Sequence, residues 1–295
     1  MKKIIQNNTW SISSFLENKN YNFDKDQILS NLPGNFIDEA IESISSWDNY
    51  APTPLLKLNK LKDELKLNNI YYKDEDKRFD LKSFKALGGA FAVYKIASEK
   101  KDIKVSTATA GNHGRSVAWG AQRLGLKCKI FISEFVSESR AEAMRNLDAE
   151  VIRVKGNYDN SLKECIEQSN KNNWEIVQDV SWEGYKEVPK LIMAGYTIMV
   201  KEIIDEIDKN SITHVFLQAG VGGMAAAIIA GFAKLSKNIP QFVVVEPENA
   251  DCVFQSIKNN KPTTVDIKKE TVMGGMSCGD VSSIAWEILK NSANS

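Results

Sequence analysis

Apolar residues along this chain form short runs that alternate with longer stretches of helical periodicity. The short runs predict strands at residues 70–72, 103–107, 128–132, 150–154, 175–177, 214–217 and 242–245. The longer stretches predict helices near residues 87–99, 112–124, 137–146, 158–171, 188–208, 222–235 and 249–259. Alternation of this kind is typical of parallel α/β folds, whose ligands bind beyond the carboxyl ends of the strands.

The first 50 residues lack this pattern. They form a polar, irregular segment, which we expect to wrap around the core as an arm. Pro52 and Pro54 then mark the entry to the core, because proline favours turns and extended backbone.

Charge and composition narrow the classes of partner. The 295 residues include 38 Lys+Arg and 38 Asp+Glu, so the formal net charge is zero. Neither nucleic acid nor a membrane surface is therefore expected as a partner. The length suits one large or two modest domains, and apolar residues make up 43% of the chain, which is enough for a buried core. A small-molecule ligand is the expectation that remains.

No run approaches the roughly 20 apolar residues of a membrane span, and the N-terminus turns polar within its first eight residues. We therefore expect a cytoplasmic protein. Its cysteines, Cys128, Cys165, Cys252 and Cys278, form no CxxC pair, so no zinc or other metal site is predicted. In a reducing compartment they are expected to be free thiols.

Lys85 is the first candidate for chemistry. It follows Phe84 and precedes a Leu-Gly-Gly step at residues 87–89. These neighbours predict a desolvated amine, and desolvation lowers the pKa of a lysine. A neutral amine can attack an aldehyde and hold a cofactor as a Schiff base. Alone the segment is weak evidence, since most lysines are solvated surface charges.

Residues 106–115 form a small-residue loop between a predicted strand and a predicted helix. Small side chains let a planar ligand lie against the backbone. Asn112, at the start of the helix, offers an amide donor to a ligand oxygen. The alternative is that Asn112 only caps the helix N-terminus.

A second glycine-rich segment lies between a predicted strand and an alanine-rich helix. It consists of Gly220, Val221, Gly222, Gly223 and Met224. Backbone N–H groups at a helix N-terminus form a ready anion site, best suited here to a phosphate. The alternative, close packing of helix on strand, does not need three glycines.

The same segment supports a competing function. Residues 220–225 also fit the dinucleotide pattern G-x-G-x-x-G/A, and Glu246 at the end of the next strand could accept a ribose hydroxyl. This alternative is an NAD-dependent dehydrogenase. It leaves Lys85 and Asn112 without roles.

Together the three segments resemble the pyridoxal-phosphate enzymes of fold type II, the tryptophan synthase β-subunit family. Further motifs are similar to those of the diaminopropionate ammonia-lyase family. They lie at residues 78–79, 84–89, 111–115, 117–119, 177–179, 182–185, 246–247, 250–252, 273–279 and 286–289. The resemblance runs from about Tyr50 to the last residues.

The resemblance implies an α/β fold of two open parallel-sheet domains with the cofactor between them. A large domain would comprise residues 1–86 and 196–295, with its C-terminal part missing, and a small domain residues 87–195. Family members are usually dimeric, so a homodimer is expected.

The implied reaction is the pyridoxal-phosphate-dependent α,β-elimination of 2,3-diaminopropionate to pyruvate and ammonia. Lys85 would hold the cofactor and remove the Cα proton of the L-isomer. Asp179 would hold the second amine as an ammonium or move its proton. Without the resemblance, Asp179 could equally be a turn carboxylate ahead of Trp182.

The resemblance also implies a set of cofactor contacts. Asn112 would bond the phenolic oxygen, the loop at residues 220–223 the phosphate, and Gly274 with Gly275 the ring edge, unless these two glycines form a simple turn. The predicted cofactor-binding residues are Phe84, Lys85, Asn112, Gly220, Val221, Gly222, Gly223, Met224, Gly274 and Gly275.

Ala110 is a departure from the family, which usually has an aspartate there as the base for the D-isomer. A methyl group cannot take a proton, so we expect activity on the L-isomer and none on the D-isomer. Serine and threonine dehydratases also have alanine at this position. An L-serine/L-threonine dehydratase-like lyase is therefore a further alternative, opposed by the segment at residues 179–185.

The chain ends at Ser295, where family members continue with more strands and with the partner of the pyridine nitrogen. We expect a truncated homologue with an exposed sheet edge, lowered solubility and weak or absent turnover. A non-catalytic homologue is the last alternative. Cys252 and Cys278 lie in matching segments and could approach each other, with free thiols the preferred interpretation.

Overall fold

A computed structural model describes residues 12–208, 211–269 and 271–295. Its regular elements follow in this order: α1 (Lys25–Asn31), α2 (Gly34–Ser45), β1 (Leu55–Lys57), α3 (Asn59–Leu65), β2 (Tyr71–Lys73), a 3₁₀ turn (Glu75–Asp80), α4 (Lys85–Glu99), β3 (Lys104–Ala108), α5 (Asn112–Arg123), β4 (Lys127–Ser133), α6 (Glu138–Arg145), β5 (Ala149–Val154), α7 (Tyr158–Asn172), β6 (Glu175–Ile176), α8 (Glu187–Tyr196), α9 (Ile198–Glu206), β7 (His214–Gln218), α10 (Gly223–Leu235), β8 (Gln241–Val245), α11 (Cys252–Asn259), a 3₁₀ turn (Gly274–Met276) and α12 (Ser283–Ser292).

Two parallel sheets form the framework and confirm the predicted α/β class. The first has the strand order β5-β4-β3-β6, and the second pairs β7 with β8. Both glycine-rich loops follow the carboxyl end of a strand, β3 and β7 respectively. The first sheet lies within the predicted small domain and the second within the predicted large domain, while the domain division itself stays a prediction.

The predicted strand at residues 70–72 is real but joins neither parallel sheet. As β2 it pairs antiparallel with β1, a strand that the pattern did not predict. Each has only three residues, and their side chains are exposed or half-buried. A strand of three residues with exposed or half-buried side chains has too few apolar positions for its sheet to be predicted from the sequence.

The prediction of an irregular N-terminal arm is wrong for residues 25–45, which form α1 and α2, whereas residues 12–24 contain no helix or strand. Helix α2 buries Ile37, Ala40 and Ile44 completely, a spacing of three and four residues that forms one helical face. Asp24 is the N-cap residue of helix α1, and its side chain accepts from two backbone N–H groups of the first turn. Residues 1–11 lie outside the described residues.

The long helix predicted at residues 188–208 is two helices. Helix α8 ends at Tyr196 and α9 begins at Ile198, with Thr197 between them. The Thr197 hydroxyl donates to the Ala194 carbonyl at 2.6 Å, which offers that carbonyl an alternative to the helical bond. Residues 191–200 are all buried, so the apolar pattern gave no sign of the break.

Helix α4, which begins at Lys85, is buried along most of its length and crosses α8 closely. A Cβ on Gly88 would lie 2.5 Å from the Ile192 carbonyl oxygen, and one on Gly195 would lie 2.5 Å from the Leu87 carbonyl oxygen. Only residues without a side chain permit this approach. The crossing places Lys85 near Tyr196 at the end of α8.

Within the described residues, no helix is both long and apolar enough to span a membrane.

Candidate active site

Lys85 and Asp179, which lie 94 residues apart in the chain, form a direct ion pair. Their side chains are 26% and 15% exposed, so water only partly screens the pair. The Lys85 ammonium also lies 5.8 Å from the centre of the Phe84 ring and 6.0 Å from that of Tyr196. The two residues predicted to be catalytic are therefore neighbours, although their roles stay predictions.

The expectation of a lowered lysine pKa is wrong. Burial does lower the pKa of Lys85, but the charge and the hydrogen bond of Asp179 outweigh it, and the pKa lies well above its usual value. Burial likewise raises the pKa of Asp179, while the charge and the hydrogen bond of Lys85 hold it well below its usual range. The pair is thus an ammonium and a carboxylate, because Asp179 is a partner that the sequence around Lys85 did not show.

His113 is a third member of this cluster, and no role was predicted for it. It is 3% exposed, and its Nε2 lies 2.8 Å from the Val177 carbonyl oxygen. A carbonyl only accepts, so Nε2 carries the proton and Nδ1 of the neutral ring is an acceptor. That Nδ1 lies 3.8 Å from Asp179 Oδ2 and has no hydrogen bond within the described chain. Burial lowers the pKa of His113, which keeps the ring neutral.

Tyr196 was also missed. Its ring packs edge-on against Phe84, with the ring centres 5.1 Å apart, and its buried hydroxyl has no hydrogen-bond partner among the described residues. Burying a hydroxyl without a hydrogen bond costs free energy, so this hydroxyl is a candidate contact for a ligand group. The sequence gave no signal, because Tyr196 lies within a continuous apolar run. For His113, the Gly-Asn-His-Gly motif at residues 111–114 could have indicated a role in the site.

Asn112 lies beside this cluster at the start of α5. The helix N-cap is Gly111, so the alternative of a capping asparagine is wrong. Asn112 is exposed, and its amide makes no hydrogen bond within the described residues. It is free to meet a ligand, as the predicted cofactor contact requires.

The loop of Gly220 to Met224 opens helix α10, as predicted. Gly222 adopts a left-handed conformation with φ of +85° at the N-cap, and no side chain of the described residues caps the helix. Around Gly223 a Cβ would meet no atom within 4 Å. The first N–H groups of the thirteen-residue helix are therefore available to an anion.

Gly274 and Gly275 lie in an exposed 3₁₀ turn that reaches the glycine-rich loop. A Cβ on Gly220 would lie 3.2 Å from the Gly275 carbonyl oxygen and 2.9 Å from Cys278 Sγ. The thiol of Cys252 donates to the Gly220 carbonyl at 3.3 Å. Cys252 and Cys278 thus lie on two sides of Gly220, and both are free thiols.

Glu246, the residue on which the dehydrogenase alternative depended, is occupied elsewhere. Its two carboxylate oxygens accept the backbone N–H groups of Val253 and Phe254 at 2.9 and 2.7 Å, at the start of α11. A ribose hydroxyl would have to displace these bonds.

Comparisons with known proteins agree with this arrangement. A family model described as pyridoxal-phosphate dependent enzyme matches residues 47–295. The diaminopropionate ammonia-lyase of Escherichia coli strain K12 is 34% identical, over 94% of this chain and 74% of that protein. This chain belongs to the diaminopropionate ammonia-lyase family of pyridoxal-phosphate-dependent enzymes. The dehydrogenase alternative is therefore wrong.

Other members of the family give the same result. The diaminopropionate ammonia-lyase of Salmonella typhimurium strain LT2 is 36% identical, over 90% of this chain and 73% of its own length. A crystal structure of the Escherichia coli diaminopropionate ammonia-lyase with an aminoacrylate-PLP azomethine intermediate superposes with a TM-score of 0.85. That match has 33% identity and covers 95% of this chain and 74% of the other. The predicted fold type II is confirmed.

The cofactor of this family is pyridoxal 5'-phosphate, and the residues around Lys85 fit it. Lys85 supplies an amine, and the buried Tyr196 hydroxyl supplies an unpaired polar group next to it. The uncapped start of α10 would suit the phosphate, with open space at Gly223. Residue by residue, the cofactor contacts stay predictions.

Proposed function

We propose that this chain catalyses the α,β-elimination of L-2,3-diaminopropionate, which with one molecule of water gives pyruvate and two molecules of ammonia. The observation that carries the proposal is the ion pair of Lys85 with Asp179. It provides a primary amine for the cofactor and, beside it, a carboxylate that can hold a cationic amine. The relatives named diaminopropionate ammonia-lyase support the choice of substrate.

Asp179 can hold one of two cations, the Lys85 ammonium or the β-ammonium of the substrate. Its pKa lies well below the usual range, so the carboxylate is charged at neutral pH. A bound diamine would compete with Lys85 for Asp179. Lys85 would then lose the charge and the hydrogen bond of Asp179, while burial would still lower its pKa and favour a neutral amine able to accept the Cα proton at Nζ. A monoamine substrate brings no second cation.

The other residues would bind and orient. The N-terminus of α10 would hold the cofactor phosphate, and Asn112 would donate to its phenolic oxygen. Phe84 and Tyr196 pack around the Lys85 amine and limit its exposure to water. When bound, pyridoxal phosphate supplies the electron sink for the carbanion.

The test combines spectroscopy with product release. The chain is purified with pyridoxal phosphate, and its visible absorption band is recorded before and after borohydride for the wild type, Lys85→Ala and the exposed-lysine control Lys77→Ala. We expect a reducible band and pyruvate release from L-2,3-diaminopropionate in the wild type and control, and neither in Lys85→Ala. A wild type without the band would contradict the role of Lys85. A band without pyruvate release from any amino acid would favour the non-catalytic alternative.

A second candidate is an L-serine/L-threonine dehydratase-like lyase, which Ala110 favours. Pyruvate or 2-oxobutyrate release from L-serine or L-threonine, compared with release from the diamine, ranks the two candidates. Faster turnover of the hydroxy amino acids would replace the diamine as the substrate.

We also propose the assembly and location that the family resemblance supports. The cofactor would lie between a large domain of residues 1–86 and 196–295 and a small domain of residues 87–195, in a cytoplasmic homodimer. Lys85 and Gly222 come from the first set of residues and Asp179 from the second, as this division requires. Light scattering of the purified chain tests the dimer.

A further inference from the structure

Ser181 joins the Asp179 segment to the N-terminus of helix α12. It lies two residues after Asp179 and is 6% exposed. Its hydroxyl accepts from the Ile284 N–H at 3.1 Å, inside the first turn of α12. Ser282 is the N-cap residue of this helix, yet its own side chain does not cap it. Ser181 therefore performs the capping from a distant part of the chain.

Ser282 connects the same point to the glycine-rich loop. Its hydroxyl accepts from the Ser181 N–H at 3.2 Å, and the two hydroxyl oxygens lie 2.7 Å apart. Its backbone N–H donates to the Val221 carbonyl at 2.9 Å. Val221 directly precedes Gly222, which is the N-cap residue of α10. The Asp179 segment and the predicted phosphate loop are thus both fixed to one helix end.

On its other side, Asp179 is held to the first parallel sheet. The Gln178 side chain is 1% exposed and bonds both the N–H and the carbonyl of Ala108, at 3.1 and 3.0 Å. The Gln178 N–H donates to the Tyr185 hydroxyl at 2.9 Å. The Asp179 segment is therefore held by hydrogen bonds on both sides. Gln178 fixes it to the β3 side, and Ser181 fixes it to the loop that would carry the cofactor.

We propose that Ser181 is a positioning residue that fixes Asp179 relative to the glycine-rich loop and thereby sets the preference for a diamine over a monoamine. This inference rests on the proposed function. A carboxylate favours an ammonium only when it lies within hydrogen-bond reach, and a misplacement of about 1 Å can cost up to about 100-fold in catalysis. L-serine has only a neutral β-hydroxyl at this position, and a hydroxyl gains less than an ammonium from a carboxylate, so its binding should change less.

The test is Ser181→Ala, compared with wild type in the cofactor-loaded protein. The half-saturating concentrations of L-2,3-diaminopropionate and L-serine are read from the change in cofactor absorbance. Their ratio does not depend on the fraction of protein that is folded. We expect binding of the diamine to weaken by about tenfold and that of serine by less than about twofold. Ser181→Thr keeps the hydroxyl and should restore the ratio.

A second variant and a control separate positioning from stability. Ser282→Ala removes the acceptor of the Ser181 N–H but leaves the bond from Ile284, so a smaller shift in the same direction is expected. Asp24→Ala removes a side-chain cap from α1, far along the chain, and should lower stability without moving the ratio. An unchanged ratio in Ser181→Ala, or equal weakening of both ligands, would overturn the inference.

Failure of the proposed function would look different. A wild type that releases no pyruvate from the diamine would contradict the reaction, whereas the binding ratio would still report on Ser181. Conversely, normal turnover with an unchanged ratio in Ser181→Ala would remove only the positioning role.

Discussion

At the scale of single residues, the Lys85–Asp179 pair should make the fold sensitive to acid. The pKa of Asp179 is lower in the folded state, so the pair stabilises the fold above the unfolded aspartate pKa of about 3.9 and loses this contribution as the pH falls through the folded value. The Lys85 pKa is raised, so its contribution is complete below about 10.4 and is lost only at higher pH.

We predict that Asp179→Asn lowers the free energy of unfolding of the cofactor-free protein by roughly 2–4 kcal/mol at pH 7, because it leaves a partly buried ammonium without its counter-charge. The difference from wild type should narrow as the pH falls below about 4. Urea unfolding at a series of pH values measures both. Glu39→Gln, which breaks the more exposed pair with Lys95, is the control and should cost less than about 1 kcal/mol. Parallel curves for wild type and Asp179→Asn would contradict the assignment.

Ala110 supports a prediction about stereochemistry. Its methyl group cannot act as a base, so the wild type should release pyruvate from L- but not from D-2,3-diaminopropionate. Ala110→Asp supplies a carboxylate at this position and should create D-isomer turnover. Ala110→Asn, which has a similar shape without basicity, should not. Equal rates of the wild type on both isomers would show that another group serves as the second base.

Site residues could be predicted from the sequence where they belong to a short local motif that is typical of their chemistry. Lys85, Asn112 and Gly222 all lie in such motifs. Tyr196 and Ser181 do not, because their partners lie far away in the chain and only the fold brings them together. The protonation state of Lys85 was mispredicted for the same reason, since its partner Asp179 is 94 residues away.

At the scale of secondary-structure elements, helices α4 and α5 meet through a matched pair of residues. The Ser116 hydroxyl on α5 donates to the Lys85 carbonyl at 2.6 Å and accepts from the Ala90 N–H at 3.1 Å. A Cβ added to Gly89 would overlap the Ser116 side chain. The hydroxyl therefore fastens the first turn of α4 and needs the glycine beside it.

We predict that Gly89→Ala destabilises the protein by about 1–3 kcal/mol through overpacking, although alanine is the better helix former. Adding Ser116→Gly removes the side chain that the new methyl group would meet, so the double variant should recover most of this loss. The single Ser116→Gly variant completes the cycle. Urea unfolding measures all four proteins. Additive effects of the two changes would show that the two residues do not share this space.

Elements could be predicted where the apolar period was long. The strands from β3 to β8 and the helices between them were found because their apolar residues form short runs or recur at helical spacing, even where few positions are fully buried, as in β6 and β7. Helix α2 has a clear helical face at Ile37, Ala40 and Ile44, so the failure there was one of interpretation. The break at Thr197 depends on a local side-chain hydrogen bond, and the pairing of β1 with β2 depends on contact between two segments; neither leaves a periodic pattern in the sequence.

At the scale of the whole molecule, a buried ionic network joins the N-terminal part of the chain to helix α9. Arg78 is 1% exposed and donates to both carboxylate oxygens of Glu202, at 2.8 and 2.7 Å. Lys73 pairs with Glu202 at 2.6 Å, and the Tyr50 hydroxyl donates to it at 2.9 Å. Residues from the chain entry, from β2 and from the turn before Lys85 therefore share one carboxylate.

We predict that Glu202→Gln lowers the free energy of unfolding by about 3 kcal/mol, because it leaves Arg78 and Lys73 buried with too little negative charge. Fluorescence-detected urea unfolding measures the loss. The neighbouring Lys201→Ala, which breaks an exposed pair with Asp205, is the control and should change stability by less than about 0.5 kcal/mol. A loss in Glu202→Gln no larger than that of the control would show that the network adds nothing to stability.

Helix α12 has both of its ends closed by side chains from elsewhere in the chain. Ser181 caps its first turn, and the Asn18 amide donates to the carbonyls of Lys290 and Ala293 at 3.0 and 2.8 Å. Ten residues are too few for a helix to persist alone in water. Its amide protons should therefore exchange with solvent at a rate set by whichever end frays first. Fraying that begins at the Asn18 end would travel along about three turns and reach Ser181, which supports Asp179, so Asn18 protects the site from a distance.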